Sequence, residues 1–189
     1  MPRTVDRSEQ RRQIGAALLR LAGEEGLDQV SVRTVAAASG RSPGAVQKYF
    51  RSKEDLLLFA SELAGERIEH RMGAIDPSLP PRRALRELIL TTLPLDEERR
   101  AETAAQLAFA VHAAHHPRLA EVRRRVDREL RDALARRLGS LGGPLPEPTA
   151  DALIAVSDGL ALRMLYAPGE APSLLAALDR ALDALMPPD

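Results

Sequence analysis

Residues 29 to 53 carry five cations and no acid, and this block is where the sequence first points to a binding chemistry. The cations are Arg33, Arg41, Lys48, Arg51 and Lys53, and the two lysines are the only lysines among the 189 residues. Because the formal net charge of the whole chain is zero, the remaining residues balance a basic first quarter. A concentrated basic patch of this kind favours binding of a polyanion.

Two short predicted helices carry the basic block. Ser31 has the position of an N-cap for a helix over residues 32–39, and the pair Ser42-Pro43 is a start signal for a helix that we expect to run to Phe50. A hydroxyl accepts a backbone N–H at each start, and proline fits the first turn because its missing N–H is not needed there. The two helices therefore lie next to each other in the chain, separated by a tight turn.

The spacing within this pair is that of a helix-turn-helix. Two helices that cross steeply need a small side chain where they touch, a residue that tolerates positive φ at the turn, and an apolar side chain that enters the core. Ala36, Gly40 and Val46 meet these three requirements. The second helix of such a pair can enter the major groove of DNA, with its first residues nearest the base edges.

At this point the sequence resembles a known family. Over about residues 7 to 60, and above all in the run from Ser31 to Leu57, it is similar to the N-terminal DNA-binding domain of TetR-type transcriptional regulators. Ten residues fall on positions that contact DNA in that family: Arg33, Thr34, Ser42, Pro43, Gly44, Ala45, Gln47, Lys48, Tyr49 and Lys53. Gln47 stands where the family often has tyrosine, so the bases read by this chain need not be those read by its relatives.

The residue types suit these roles. Gln47 can form two hydrogen bonds with adenine and Arg33 two with guanine, each worth about 1–3 kcal/mol of discrimination between bases. Lys48 and Lys53 can bind phosphates, which adds affinity without sequence preference. The alternative interpretation is that Arg33, Lys48 and Lys53 form only a solvated basic face.

The composition and the apolar periodicity predict an all-α fold with about nine helices, because alanine and leucine dominate the apolar residues. We expect a helix-turn-helix DNA-binding domain over residues 1–53, a connecting fourth helix over 54–76, and a regulatory domain that binds a ligand and dimerises over 77–189. The expected helices cover residues 7–25, 32–39, 43–50, 53–73, 82–93, 97–116, 149–166 and 173–186, and a seventh helix directly after Pro117 has an apolar stripe from Leu119 to Leu141, with its end marked by Gly139, Gly142 and Gly143.

After residue 81 the resemblance is weaker and points to the regulatory domain of TetR regulators of the BetI type. It implies a homodimer formed through the last two helices, with a predicted interface of Leu153, Ile154, Val156, Gly159, Leu160, Leu178, Leu182 and Leu185. The alternative is that these residues only close the core of one subunit. A dimer implies a pseudo-palindromic operator in double-stranded DNA, because two recognition helices enter successive major grooves about 34 Å apart.

The resemblance also implies a small-molecule effector, and the candidate pocket residues are Met72, Leu107, Phe109, Val111, His112 and Asp158. Asp158 is the one acid in an apolar stretch, so it pairs with an arginine of the fold or recognises a polar or cationic ligand. The apolar candidates are equally compatible with ordinary core. His112, His115 and His116 have a spacing that allows a shared face, but a favourable interaction with the helix C-terminus explains them better than a metal does.

The absence of cysteine excludes disulfides, thiolate metal sites and cysteine nucleophiles. No nucleophile elbow or phosphate loop is present, and no apolar run is long enough to cross a membrane, so we expect a cytoplasmic protein that is not an enzyme and uses no cofactor. The predicted function is a ligand-responsive transcriptional regulator, most simply a homodimeric repressor released by an inducer. The alternative is a helical ligand-binding or adaptor protein that no longer reads DNA.

Overall fold

Helices make up almost all of the regular structure, as the alanine-rich and leucine-rich composition predicts. The computed structural model describes residues 7–139 and 147–185, and within these ranges it contains nine α-helices and no strand. They are α1 (Arg7–Glu25), α2 (Val32–Ala38), α3 (Pro43–Gln47), α4 (Lys53–Gly73), α5 (Pro81–Leu90), α6 (Glu97–Ala113), α7 (Pro117–Gly139), α8 (Glu147–Tyr166) and α9 (Ala171–Leu185). The predicted all-α fold class is confirmed.

The helix ends differ from the predicted ones by a few residues in several places. Helix α3 ends at Gln47, whereas the sequence predicts a helix to Phe50, and a turn follows it. Helix α6 ends at Ala113 and not at His116, so that Pro117 opens α7 directly after a short turn. The expected last residue of α9, Met186, lies outside the described residues.

The helices form two hydrophobic cores, and the grouping of helices in these cores does not follow their order along the chain. The first core joins α1 to α4 with Ala105, Phe109 and Ala113 of α6 and with Leu119 of α7. The second core joins α5, α8 and α9 with Leu134 of α7. Helix α6 therefore packs into the core that holds the helix-turn-helix, although it comes long after it in the chain.

The contact between α1 and α6 is unusually close at Gly23. A Cβ atom added to Gly23 would lie 2.6 Å from the Cα and 2.9 Å from the Cβ of Ala101. Carbon atoms in normal contact are about 3.5–4.0 Å apart, so only glycine allows this approach. This seam joins the DNA-binding helices to the rest of the chain.

Candidate DNA-binding surface and effector cavity

Helix α2 is held at its start by a capping box. Ser31 Oγ accepts a hydrogen bond from the Thr34 backbone N–H at 3.1 Å, and Thr34 Oγ1 accepts one from the Ser31 N–H at 2.9 Å. The Thr34 hydroxyl also donates to the Gln29 carbonyl at 2.7 Å. Thr34 thus fixes the start of α2 through its side chain, whether or not it also contacts DNA.

The turn between α2 and α3 has the geometry that the helix-turn-helix spacing predicts. Gly40 has φ of 66°, a left-handed conformation that favours glycine, and the Arg41 N–H donates to the Ala36 carbonyl at 2.8 Å. Ser42 then caps α3 by accepting from the Ala45 N–H at 3.2 Å. Ala36 and Val46 are buried, with 1% and 0% of their surfaces exposed, which confirms their predicted places in the core.

One face of this pair of helices presents side chains to solvent. Arg33 of α2, Gln47 at the end of α3 and Lys48 directly after it are exposed, and none of the three side chains has a hydrogen bond or ion pair with any described residue. Ser42, Pro43 and Gly44 at the start of α3 are also exposed, and Ala45 is half-buried. A face with two cations, one amide and an open helix start can approach a phosphate backbone and the base edges.

The other two predicted DNA contacts have partners within the chain. The Tyr49 hydroxyl donates to Gln10 Oε1 of α1 at 2.6 Å, so Tyr49 also ties the end of α3 to α1. Lys53 is the first residue of α4, after Ser52, whose hydroxyl accepts from the Asp55 N–H at 3.1 Å. Both residues remain predicted DNA contacts.

A cavity of about 100 Å³ lies between α4, α6, α7 and α8. Of the six predicted pocket residues, Leu107 and Asp158 line it. The remaining lining residues are Ile68, Arg71, Thr92, Glu102, Thr103, Gln106, Arg123, Val126, Asp127, Leu130, Ser157 and Ala161. A second cavity of about 50 Å³ shares Thr92, Leu130, Ser157 and Asp158 with the first, so the two are neighbours.

The other four predicted pocket residues do not line this cavity. Phe109 is 1% exposed within the first core, and Met72 packs against the second core. Val111 is 68% exposed on the outer side of α6. The ring of His112 stacks on that of His116, with centroids 5.4 Å apart. Successive helical residues diverge by about 100°, so Leu107 faces the cavity while Phe109 faces the other way.

Acidic side chains shape the electrostatics of the cavity wall. Removal from water raises the pKa of the Asp158 carboxyl, against the opposing effect of Arg123 and with a smaller addition from Asp127. Arg123 Nη2 lies 3.8 Å from Asp158 Oδ2, a long ion pair, and 54% of the Asp158 side chain is still exposed. The carboxyl of Asp158 therefore lies where the cavity meets solvent and gains little from its arginine.

Asp127 lies on the cavity wall and pairs with an arginine of its own helix. Its Oδ1 lies 2.8 Å from Arg123 Nε, one helical turn away. Arg123 is thus shared between Asp127 and the more distant Asp158. Two carboxylates with one arginine between them leave this part of the wall net acidic, which favours a ligand cation or N–H donor here.

Among the residues that the structure describes, Glu102 is the one charged residue that is buried, with 2% of its surface exposed. Its two oxygens hold two arginines of α4: Oε1 lies 3.0 Å from Arg67 Nη1, and Oε2 lies 2.6 Å from Arg71 Nη2. Sequence reasoning missed this triad. The spacing of Arg67 and Arg71, one helical turn apart on an otherwise apolar face, was the available signal, but their common partner lies more than 30 residues away.

The predicted dimer residues fall into two groups. Leu153, Leu160, Leu178 and Leu182 are 1%, 7%, 0% and 0% exposed within the single chain, so they have almost no surface to offer to a second copy. Their placement at the interface needs correction, because α5 and α7 already cover them in the second core. Ile154, Val156 and Leu185 are half-buried at the edge of that core, and Gly159 is exposed.

Within residues 7–139 and 147–185, no three His, Asp or Glu side chains are arranged to hold a metal ion. No helix in these ranges is long and apolar enough to cross a membrane.

Comparisons with known proteins match both parts of the chain to families. Residues 14–59 match the family described as bacterial regulatory proteins, tetR family, and residues 81–187 match the family described as BetI-type transcriptional repressor, C-terminal. Among curated proteins, the regulator BetI of Rhizobium meliloti (strain 1021) is 30% identical over 168 residues, which are 86% of this chain and 81% of BetI. The regulator PksA of Bacillus subtilis (strain 168) is 33% identical over 117 residues, which are 61% of this chain and 57% of PksA, so the match spans little more than half of PksA.

Solved structures give the same result. A transcriptional regulator from Rhodococcus sp. Rha1 is 37% identical, with a TM-score of 0.86, and the match covers 93% of this chain and 95% of that chain. The multidrug binding protein EbrR, solved in complex with ethidium, is 25% identical with a TM-score of 0.67, covering 91% of this chain and 98% of that one. Both parts of the molecule, and their arrangement, therefore have relatives of known structure.

Proposed function

We propose that this chain, which belongs to the TetR family of transcriptional regulators, acts as a homodimeric repressor that an effector molecule releases from its operator. It binds DNA and is not an enzyme. The observation that carries the proposal is the exposed face of α2 and α3, where Arg33, Gln47 and Lys48 have no partner among the described residues. Acting on the chromosome, the protein would work in the cytoplasm.

The recognition chemistry follows from the side chains on this face. Gln47 offers one donor and one acceptor, the pattern that adenine matches in the major groove, and Arg33 offers the donor pair that guanine matches. Lys48 lies directly after Gln47 and can bind a phosphate at the groove edge. Ser42, Pro43 and Gly44 open α3 and would lie nearest to the DNA, together with Ala45, Thr34, Tyr49 and Lys53 around them.

The dimer surface that we propose lies on the outer side of α8 and α9. Ala155, Gly159, Leu162 and Tyr166 form one stripe of α8 and are all exposed, with Leu162 and Tyr166 at 51% and 69%. On α9, Ala177 and Ala184 are exposed as well. Small side chains let two helices approach closely, and the leucine and the tyrosine supply apolar area that water would otherwise cover.

The effector site that we propose is the cavity between α4, α6, α7 and α8. A larger open groove of about 990 Å³ between α4, α5 and α9 is lined by five arginines, but it is shallow and four of those arginines already bond to protein oxygens. The smaller cavity holds the carboxylates of Asp127 and Asp158, which share the single arginine Arg123, and the Asp158 carboxyl is half-exposed. These groups favour an effector with a cationic or N–H donor group, and ethidium in EbrR is such a cation.

The control step needs a link between the cavity and the DNA-binding face, and α4 provides it. Its first residue is the predicted phosphate contact Lys53, and Ile68 and Arg71 near its far end line the cavity. An effector that prefers one arrangement of α4 shifts the fraction of dimers whose recognition helices have the operator spacing.

Fluorescence anisotropy with duplex DNA from the promoter region beside the gene tests the function. We expect Gln47→Ala to change the preferred sequence, and Lys48→Ala to weaken all duplexes alike and to lower the salt slope of log K by about 1. Arg83→Ala is the matched control, because Arg83 is an exposed arginine that belongs to α5 and not to the α2–α3 surface. Equal effects of all three variants would favour the alternative, a ligand-binding protein without specific DNA reading.

A further inference from the structure

The cavity wall and the connecting helix share one carboxylate. Glu102 projects from α6, lines the cavity, and holds Arg67 and Arg71 of α4 at 3.0 Å and 2.6 Å. A carboxylate that is 2% exposed cannot remain without a cation or a set of hydrogen-bond donors, because the loss of hydration is not otherwise offset. Whatever pairs with Glu102 is therefore a structural requirement of this region.

The two arginines are not equivalent. Arg71 lines the cavity, whereas Arg67 does not, and Arg67 has a second acidic partner in Glu98 at 2.9 Å. Arg71 also donates from Nε to the Thr91 carbonyl at 3.3 Å, just where α5 ends. The Glu102–Arg71 pair thus joins α4, α5 and α6 at a point that a ligand in the cavity can reach.

We propose that the Glu102–Arg71 ion pair is the contact through which the effector controls α4. This inference rests on the proposed function and adds its molecular switch. An effector whose cationic or donor group binds Glu102 takes over the pairing that the carboxylate requires, and Arg71 is released. Helix α4 then loses its contact with α6 at that turn, while Arg67 keeps its bond to Glu98.

The location of the pair explains how its loss reaches the DNA-binding face. Helix α4 runs from Lys53 to Gly73, and its first half packs in the core of the DNA-binding helices through Leu56, Phe59 and Leu63. A change in the tilt of α4 near Arg71 therefore moves the helix-turn-helix as one body. Because dimers bind two half-sites at a fixed separation, a small change of tilt lowers operator affinity.

Two matched variants of the full-length protein test the proposal. Arg71→Gln and Arg67→Gln each remove one arginine of similar exposure, 25% and 30%, and each leaves Glu102 paired with the other. Neither variant buries an uncompensated charge, so we expect both to fold, with melting temperatures near that of the wild type. The DNA is a duplex that the wild-type protein selects from a random pool.

We expect Arg71→Gln to bind this duplex at least tenfold more weakly than the wild type, and Arg67→Gln to stay within about threefold. Glu102→Gln, which removes both pairs without leaving a buried charge, should be as weak as Arg71→Gln and serves if Arg71→Gln does not fold. Equal affinities for the two arginine variants, or wild-type affinity for Glu102→Gln, would overturn the switch. A wild-type protein that selects no duplex would overturn the proposed function as well, so the two failures are distinguishable.

Discussion

The close approach of α1 and α6 gives a quantitative prediction for Gly23→Ala. The added methyl group would lie 2.6 Å from the Ala101 Cα and 2.9 Å from its Cβ, about 1 Å inside normal contact. The obstacle is backbone and not a flexible side chain, so the two helices must separate. Overpacking of this kind costs about 1–3 kcal/mol in the free energy of unfolding.

Gly65→Ala is the matched control, since Gly65 also lies inside a helix but has nothing within 4 Å of an added Cβ. Alanine in a helix is favoured over glycine by about 0.5–1 kcal/mol, so we expect this variant to be more stable than the wild type. Urea unfolding followed by circular dichroism measures both changes. If Gly23→Ala is as stable as Gly65→Ala, α1 and α6 do not approach as closely as described.

Three further predictions concern the dimer and two carboxylates. Leu162→Arg should convert the proposed dimer to a monomer, as measured by sedimentation velocity. Val111→Arg should not, because Val111 is a similarly exposed apolar residue outside the proposed interface. If both variants dissociate the dimer, the proposed interface is refuted. Asp96 caps α6 by accepting a hydrogen bond from the Arg99 backbone N–H, and this bond lowers the pKa of the Asp96 carboxyl. The stabilisation that the charged carboxylate gives to the folded state is therefore present above the unfolded pKa near 3.8 and is lost as the pH falls through the folded pKa. Asp96→Ala should therefore cost about 0.5–2 kcal/mol in the free energy of unfolding at pH 7 and less in strong acid, where the neutral carboxyl is a weaker acceptor, and a cost that is independent of pH would contradict this. Burial raises the pKa of Asp158, so the charge of its carboxylate opposes folding at pH 7. Asp158→Asn should therefore raise the free energy of unfolding at pH 7, by less than about 0.5 kcal/mol because the side chain is half-exposed, and this gain should vanish below pH 3.8. A loss of stability at pH 7 would show that the attraction to Arg123 outweighs the cost of burial.

Local signals predicted the DNA-binding part well. Ser31, Ser42 and Gly40 act through their own backbone neighbours, so their roles as caps and as a left-handed turn residue are legible from the sequence. The end of α3 was predicted less well. The N–H groups of Tyr49 and Phe50 still donate to the Val46 carbonyl at 2.9 Å and 3.0 Å, but the residues after Gln47 form a turn, and Phe50 packs into the first core.

The lining of the proposed effector cavity depends on information that the sequence does not contain. Helix α6 packs against both α1 and α4, which come much earlier in the chain, and these long-range contacts place some of its side chains at the cavity and others in the first core. Leu107 lines the cavity and Phe109 lies in the first core, although both are apolar. The Glu102 triad depends on contacts between distant segments, which no local pattern reveals.

The predicted dimer residues show a similar limit. The sequence marks α8 as apolar nearly all round, but it does not say which apolar side faces the chain's own core. Leu153 and Leu160 of α8 are in that core, while Leu162 and Tyr166 of the same helix remain exposed. Smaller and less obviously apolar positions, such as Ala155 and Gly159, complete the outer surface.

Selection of duplexes from a random pool by the full-length protein, followed by sequencing, tests the central claim most directly. We expect enrichment of an inverted repeat whose half-sites are centred about 34 Å apart, one turn of DNA, because two exposed α2–α3 faces in a symmetric dimer would read successive major grooves. Gln47→Ala should alter the bases within each half-site and leave their spacing unchanged. A pool without enrichment, or enrichment of a single half-site only, would contradict the account.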